Sequence, residues 1–212
     1  MPIELAPQVT DPQPGDLGFA VIGGVERKGS GWWIYIAQAM LGDACPFDHV
    51  FGVVAALGDP DFPDGLCVEA MPRGARMSTL AGRLGPGYAY ARVPLTDAQR
   101  NMAYATALTF TSARDGKGVP YSFGSYLALA LIHWGFTPHW LLKRIADHKS
   151  LICSQLVDQW LYRMGFHLFH DGGWIGDVSP GDEFALTDPR IVPSPDAVGI
   201  TRRTARKKAA SS

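Results

Sequence analysis

The sequence predicts an α+β domain in which a small antiparallel sheet has helices packed on one side. Short apolar runs bounded by Gly, Pro and Asp predict strands, and apolar residues at helical spacing predict helices after residues 96 and 150. The chain has 212 residues, of which 47% are hydrophobic, enough for one core without disulfide support.

Four runs predict strands. Pro14-Gly15-Asp16 is a turn signal, and residues 17–22 (LGFAVI) after it are typical of a short buried strand. The Val-rich run at 50–57 follows Asp48-His49 and predicts a central strand. Residues 66–71 (LCVEAM) are expected to pair with it as in a hairpin. Residues 72–87 are expected to be loop-rich, and residues 88–93 (YAYARV) alternate like a further strand.

Residues 32–41 are compatible with a strand or a helix, and their length with the Gly42-Asp43 stop favours a helix in the C-terminal half. A further helix is predicted after Thr96. Thr96 and Gln99 form a capping-box pattern, and this helix should end before Gly116. Its apolar face is expected to carry Met102, Ala105, Leu108 and Thr109. Another apolar helix is predicted within residues 123–134.

The last predicted helix starts after Ser150, which is suited to the N-cap, and it places Cys153 in the first turn. Gly165 fits the position after its C-terminus. Five apolar residues form its buried stripe: Leu156, Val157, Trp160, Leu161 and Met164.

Composition and charge limit the organisation and partners of the chain. Residues 1–13 are expected to be an extended lead-in, residues 14–200 one folded domain, and residues 201–212 a disordered basic tail. Nineteen Lys and Arg against twenty Asp and Glu leave a net charge of -1, so no stable nucleic-acid partner is expected. The N-terminal residues lack a signal-peptide pattern, and no segment is predicted to cross a membrane. We therefore expect a cytoplasmic protein, or one delivered by lysis or in a particle.

Cys153 is the most informative residue of the sequence. The first turn of a helix offers free backbone N–H groups and the positive end of the helix dipole, which stabilise a thiolate. The same N–H groups can bind an oxyanion. The alternative is that Cys153 is a small buried side chain with no chemistry.

His49 and Glu69 are candidates for the groups that would activate this thiol. His49 stands at the start of a buried strand, a rigid position that suits a general base. Glu69 lies in the apolar run 66–71, where a carboxylate needs a partner, and the simplest partner is the His49 imidazolium. The alternatives are a turn histidine and an outward-facing glutamate.

The sequence indicates neither a metal nor a cofactor. Cys45, His49 and Cys67 lack the spacing of a structural zinc site. Three cysteines at long spacings, with Cys153 as the third, do not form a disulfide framework.

Four segments resemble the NlpC/P60 superfamily of papain-like cysteine peptidases in circularly permuted order. Pro14-Gly15-Asp16-Leu17 comes first, Asp48-His49-Val50 second and Val68-Glu69-Ala70 third. The fourth match has two parts, Pro120-Tyr121 and residues 152–157 (ICSQLV). This order is similar to that of the YiiX-like and lecithin retinol acyltransferase-like branch. The residues around Cys153 depart from the pattern, because Ile152 stands where the family has Asp and Ser154-Gln155 where it has Ser-Gly.

The resemblance implies a permuted papain-like fold and a role for each matching residue. Cys153 would be the nucleophile, His49 the general base and then acid, and Glu69 the group that orients His49. Tyr121 and Ser154 would bind substrate. No cofactor is implied.

The implied activity is cleavage of an amide bond in a peptide or acyl-amide substrate, with peptidoglycan as the expected source. One alternative is a lipid-directed acyltransferase or thioesterase with the same triad, which would contact lipid through the apolar segment bounded by Leu127 and Leu142. Another is a non-catalytic structural or binding module of the same fold.

Overall fold

The computed structural model describes residues 9–21, 47, 49–84, 88–113, 118–121, 151–169, 178, 181 and 183–184. The helices predicted at 32–41 and within 123–134, the segment 127–142, Cys45, Ser150 and the basic tail lie outside these residues.

The centre of the described fold is a five-stranded antiparallel sheet. Its strands are β1 (Leu17–Ala20), β2 (His49–Ala55), β3 (Leu66–Met71), β4 (Gly74–Thr79) and β5 (Tyr88–Ala91). Their order across the sheet is β4-β3-β2-β1-β5, so β2, which begins at His49, is the central strand. The mixed α+β class and the small antiparallel sheet are therefore as the sequence predicts.

The prediction of a loop over residues 72–87 is wrong, because β4 lies within it. Pro72 and Arg73 form a two-residue turn, Gly74 has a φ of 118°, and β4 pairs with β3. β4 is an edge strand, and only its first two residues are buried. Its sequence, GARMST, therefore lacks the apolar alternation by which a strand is recognised.

The two faces of the sheet pack against different partners. Alternation along β2 places Val50 and Val54 in the larger core, which includes the buried face of the last helix. Gly52 lies on that face, where a Cβ atom would stand 2.3 Å from the ring of Trp160. The other face of the sheet carries a smaller core that contains Phe51, Val53, Cys67, Leu80 and Tyr90.

Three α-helices are described: α1 (Asp97–Asn101), α2 (Ala103–Thr111) and α3 (Cys153–Arg163), with a 3-10 turn at Ala81–Arg83. The predicted capping box is present. The Gln99 N–H donates to Thr96 Oγ1 at 3.3 Å, and the Thr96 N–H donates to Gln99 Oε1 at 2.9 Å. Met102 divides the single predicted helix into α1 and α2.

The predicted apolar face of this helix is wrong. Met102 and Leu108 are exposed, and the buried residues of α2 are Ala103, Thr106, Ala107 and Phe110. The Trp160 indole N–H donates to the Ala103 carbonyl at 3.0 Å, so packing against α3 selects this face instead of the one that local spacing indicates.

Helix α3 places Cys153 at its first residue. The N-cap is Ile152 and not the predicted Ser150, and the Ile152 N–H donates to Gln155 Oε1 at 3.1 Å. The predicted stripe is confirmed, since Leu156, Val157, Trp160, Leu161 and Met164 are all buried.

Gly165 ends α3 as predicted. Its φ is 80°, its N–H donates to the Tyr162 carbonyl at 2.9 Å, and the Phe166 N–H donates to the Leu161 carbonyl at 3.0 Å. These two bonds form a Schellman motif, which glycine permits because it adopts positive φ without strain. No helix within the described part of the chain is long and apolar enough to span a bilayer.

Candidate active site

His49 and Glu69 form a buried pair on neighbouring strands. His49 is the first residue of β2, Glu69 lies in β3, and the His49 Nε2 and Glu69 Oε2 atoms are 2.9 Å apart. The two side chains are 4% and 0% exposed, so water does not screen the contact. The pairing expected from the isolated carboxylate in β3 is therefore present.

Cys153 is hydrogen-bonded to the same imidazole. The thiol is buried at the N-terminus of α3, and a side-chain hydrogen bond joins it to His49. The structure thus brings Cys153, His49 and Glu69 into one chain of hydrogen bonds.

The environment holds the imidazole in its charged form. Burial lowers the pKa of His49, but the hydrogen bonds to Cys153 and Glu69 and their negative charges outweigh burial and raise it to about 9. Burial also disfavours the charged form of Glu69 and raises its pKa. The hydrogen bond and charge of His49, with the charge of Arg83, nevertheless hold the pKa of Glu69 well below the usual range. At neutral pH the pair is an imidazolium and a carboxylate.

Glu69 has three further hydrogen-bond partners, all on its Oε1 atom. Arg76 Nε lies at 3.0 Å, Ser78 Oγ at 2.8 Å and Arg83 Nη2 at 2.7 Å. Sequence reasoning missed these residues because it treated residues 72–87 as loop. The available signal was the two-residue Pro72-Arg73 turn, since a hairpin there places Arg76 directly opposite Glu69.

Cys67 is a second described thiol, in a different environment. Its Sγ lies 3.2 Å from Ser78 Oγ and donates to the Ser78 carbonyl at 3.4 Å. Burial raises the pKa of the Cys67 thiol. Cys67 is therefore a natural internal reference for the reactivity of Cys153.

Tyr121 and Ser154 both lie close to Cys153 in the fold, but they differ in burial and in the contacts they make. Tyr121 is partly buried and pairs in parallel with Leu151, two residues before the nucleophile candidate. Ser154 is fully buried, and its hydroxyl donates to the Val178 carbonyl at 2.6 Å. This bond holds the start of α3 to residue 178, which supports a structural role. Substrate binding by either residue stays a prediction.

Asp16, from the first of the four resembling segments, anchors the sheet. Its fully buried carboxylate accepts from Arg92 Nε at 2.8 Å and from Arg100 Nη1 at 3.2 Å. The two arginines come from β5's C-terminal side and from α1, so Asp16 ties both segments to the start of β1. This segment supports the site from a distance and does not join its chemistry.

No protein-family model, curated protein or solved structure matches this chain. Among the described residues, no group of three or more His, Cys, Asp or Glu side chains could hold a metal ion. The hydrogen-bonded chain of Cys153, His49 and Glu69 is thus the chemical feature on which a function can be argued.

Proposed function

We propose that the protein is a cysteine-dependent amide hydrolase, a peptidase or amidase, that acts through Cys153, His49 and Glu69. One observation carries the proposal: the buried His49 imidazole is hydrogen-bonded to a thiol at a helix N-terminus on one side and to a carboxylate on the other. A thiol, an imidazole and an orienting group in this sequence of contacts are the parts of a nucleophilic triad.

The reaction follows from the atoms present. The Cys153 thiolate attacks the amide carbonyl carbon, a C–S bond forms, and the carbonyl oxygen becomes an oxyanion. Backbone N–H groups at the start of α3 would stabilise that charge. The His49 imidazolium gives its proton to the nitrogen as the C–N bond breaks, which leaves a thioester on Cys153 and a free amine.

Hydrolysis reverses the role of His49. The neutral imidazole takes a proton from water as the water oxygen attacks the thioester carbonyl carbon. The C–S bond then breaks, the carboxylic acid leaves, and the thiolate and imidazolium are restored. Glu69 remains ionised throughout and stabilises the imidazolium by hydrogen bond and charge.

The protonation of His49 permits an amide to be the bond that is cut. An amine is expelled only when its nitrogen is protonated, and a His49 pKa of about 9 keeps a proton available at neutral pH. The permuted NlpC/P60-like fold is part of this proposal, as is a cell-wall peptide as substrate, on the strength of the four resembling segments.

Thiol reactivity tests the proposal with a reference built into the chain. We would measure alkylation of Cys153 and Cys67 by iodoacetamide between pH 5 and 9, with mass spectrometry of each peptide. Thiolate ultraviolet absorbance, which requires no reagent access, would be recorded in parallel for the wild type, Cys153→Ala and Cys67→Ser.

We expect Cys153 to form a thiolate at a pH where Cys67 remains protonated, and His49→Ala to abolish that difference. Cleavage of peptidoglycan-derived peptides should disappear in Cys153→Ala and persist in Cys67→Ser. If both thiols titrate together in the wild type, the triad is inactive and the chain is a binding module.

A further inference from the structure

The hydrogen bonds to Glu69 Oε1 form a connected network that includes Arg83 and Ser78, unlike the single contact of an ordinary surface ion pair. Arg83 Nη2 donates both to Glu69 Oε1 at 2.7 Å and to Ser78 Oγ at 3.0 Å. Ser78 Oγ itself donates to Glu69 Oε1 at 2.8 Å. The three atoms close a triangle, which fixes the Oε1 end of the carboxylate in space.

Arg83 is itself held in place. It ends the 3-10 turn, its carbonyl accepts from the Tyr90 hydroxyl at 2.8 Å, and its guanidinium lies 4.9 Å above the centre of the Phe51 ring. Its side chain is 16% exposed, against 52% for Arg76. Arg83 is therefore the more enclosed and less screened of the two cations on Glu69.

We propose that Arg83 is a positioning residue for the site: with Ser78, it holds Oε1 of Glu69 so that Oε2 stays directed at His49. The proposal rests on the proposed function, in which His49 must keep its proton and its orientation. In the described part of the chain, Arg83 donates to Glu69 and Ser78, and neither Cys153 nor His49 is among its hydrogen-bond partners, so it acts through Glu69.

Removal of Arg83 changes the pKa of His49 in opposite directions under the two possible roles of Arg83, positioning of Glu69 and competition for its charge. If Arg83 positions Glu69, the carboxylate turns away when Arg83 is removed, the imidazolium loses support, and burial lowers the pKa of His49. If Arg83 only competes with His49 for the carboxylate, its removal strengthens the His49–Glu69 pair and the pKa of His49 rises.

The experiment titrates His49 by NMR in the full chain, with the His49 signal identified by its absence in His49→Gln. Arg83→Gln is compared with Arg76→Gln, a matched control in which the more exposed cation on the same oxygen is removed. We expect Arg83→Gln to lower the His49 pKa by about one unit or more from about 9, and Arg76→Gln to shift it less. The upper limit of the pH range in which the protein cleaves an amide should fall in parallel, because the imidazolium supplies the proton to the leaving amine.

A rise in the His49 pKa, or no change, in folded Arg83→Gln overturns the proposal. Circular dichroism and urea unfolding check that the variant folds. If it does not, Ser78→Ala gives the same reading, since it removes a second donor from Oε1: a smaller fall supports positioning, and a rise or no change overturns it.

Failure of the proposed function has a different signature. Equal titration of Cys153 and Cys67 in the wild type would contradict the proposed function. The change in the His49 pKa in Arg83→Gln depends instead only on the Glu69–His49 contact.

Discussion

His49 Nε2 and Glu69 Oε2 lie 2.9 Å apart across two neighbouring antiparallel strands, and the same imidazole is hydrogen-bonded to Cys153. The strand pair sets the orientation of the imidazole before any substrate binds. A helix N-terminus then has only to place one thiol against a nitrogen that is already fixed.

Glu69→Gln tests what this contact contributes. Glutamine keeps the shape of the side chain but removes the negative charge, so the imidazolium loses its electrostatic partner. We expect the pKa of His49 to fall by about one unit or more, which NMR titration measures, and the upper pH limit of peptide cleavage to fall with it. An unchanged His49 pKa would mean that Glu69 has only a structural role.

Glu69→Ala should in addition destabilise the fold. It leaves Arg83 with a largely buried charge and no carboxylate, at a cost of about 2–3 kcal/mol, reduced from the fully buried case by the partial exposure of Arg83. Urea unfolding measures this, and Arg83→Gln combined with Glu69→Ala should recover part of the loss.

The His49 pKa also predicts how stability depends on pH. Folding raises this pKa from 6.5 to about 9, so the folded state binds the proton more tightly than the unfolded state. The resulting stabilisation is fully present below pH 6.5 and is lost as pH rises through 9. The pKa of Glu69 is lowered instead, so its contribution is present above 4.5 and is lost as pH falls towards strong acid.

Thermal unfolding between pH 5 and 10 measures these contributions. We expect Tm to fall from pH 6.5 to 9 in the wild type and to fall less steeply in His49→Gln, which has no proton to lose. Parallel curves for the two proteins would show that His49 is not the titrating group.

Ser154→Ala separates a structural role for this hydroxyl from substrate binding. The variant leaves the buried Val178 carbonyl without its 2.6 Å donor, and we expect a loss of about 1–2 kcal/mol in the free energy of unfolding. The pH dependence of Cys153 alkylation should stay as in the wild type. A raised KM for a cleaved peptide, with stability unchanged, would instead place Ser154 in the substrate cleft.

The residues of the site were easier to predict than their support. A carboxylate inside an apolar strand requires a partner, so Glu69 could be paired with His49 from the sequence. Arg83 and Ser78 could not be predicted as partners of Glu69. Ser78 lies in an edge strand and Arg83 follows it, and the exposed residues of this strand hide its strand pattern. An edge strand is defined by pairing on one side only, and that is a property of the sheet as a whole.

The buried face of a helix likewise depends on residues distant in sequence, which limits its prediction. Local spacing placed Met102 and Leu108 on the buried face, whereas Ala103 and Phe110 occupy it. A capping box such as that of Thr96 and Gln99 is made within four residues and is therefore legible in the sequence. Which face of a short helix is buried depends on a partner distant in sequence, here Trp160 of α3.

Gly52→Ala tests whether the site depends on how closely α3 packs on the sheet. The added Cβ would lie 2.3 Å from the Trp160 ring, which is fully buried and hydrogen-bonded to Ala103, so the ring has no room to move. Helix α3 must shift away from β2, and we expect a cost of about 3 kcal/mol. Gly82→Ala is the matched control, because nothing lies within 4 Å of its added Cβ, and its effect should stay within about 0.5 kcal/mol.

The shift of α3 would carry Cys153 away from His49. We therefore expect folded Gly52→Ala to lose the preference for alkylation of Cys153 over Cys67, while Gly82→Ala keeps it. The decisive comparison is made at a urea concentration well below the unfolding midpoint of Gly52→Ala, where both thiols report on the folded state. A variant that is destabilised but retains the full preference would show that the Cys153–His49 contact is fixed by the start of α3 alone, independently of the Gly52–Trp160 packing two turns further along the helix.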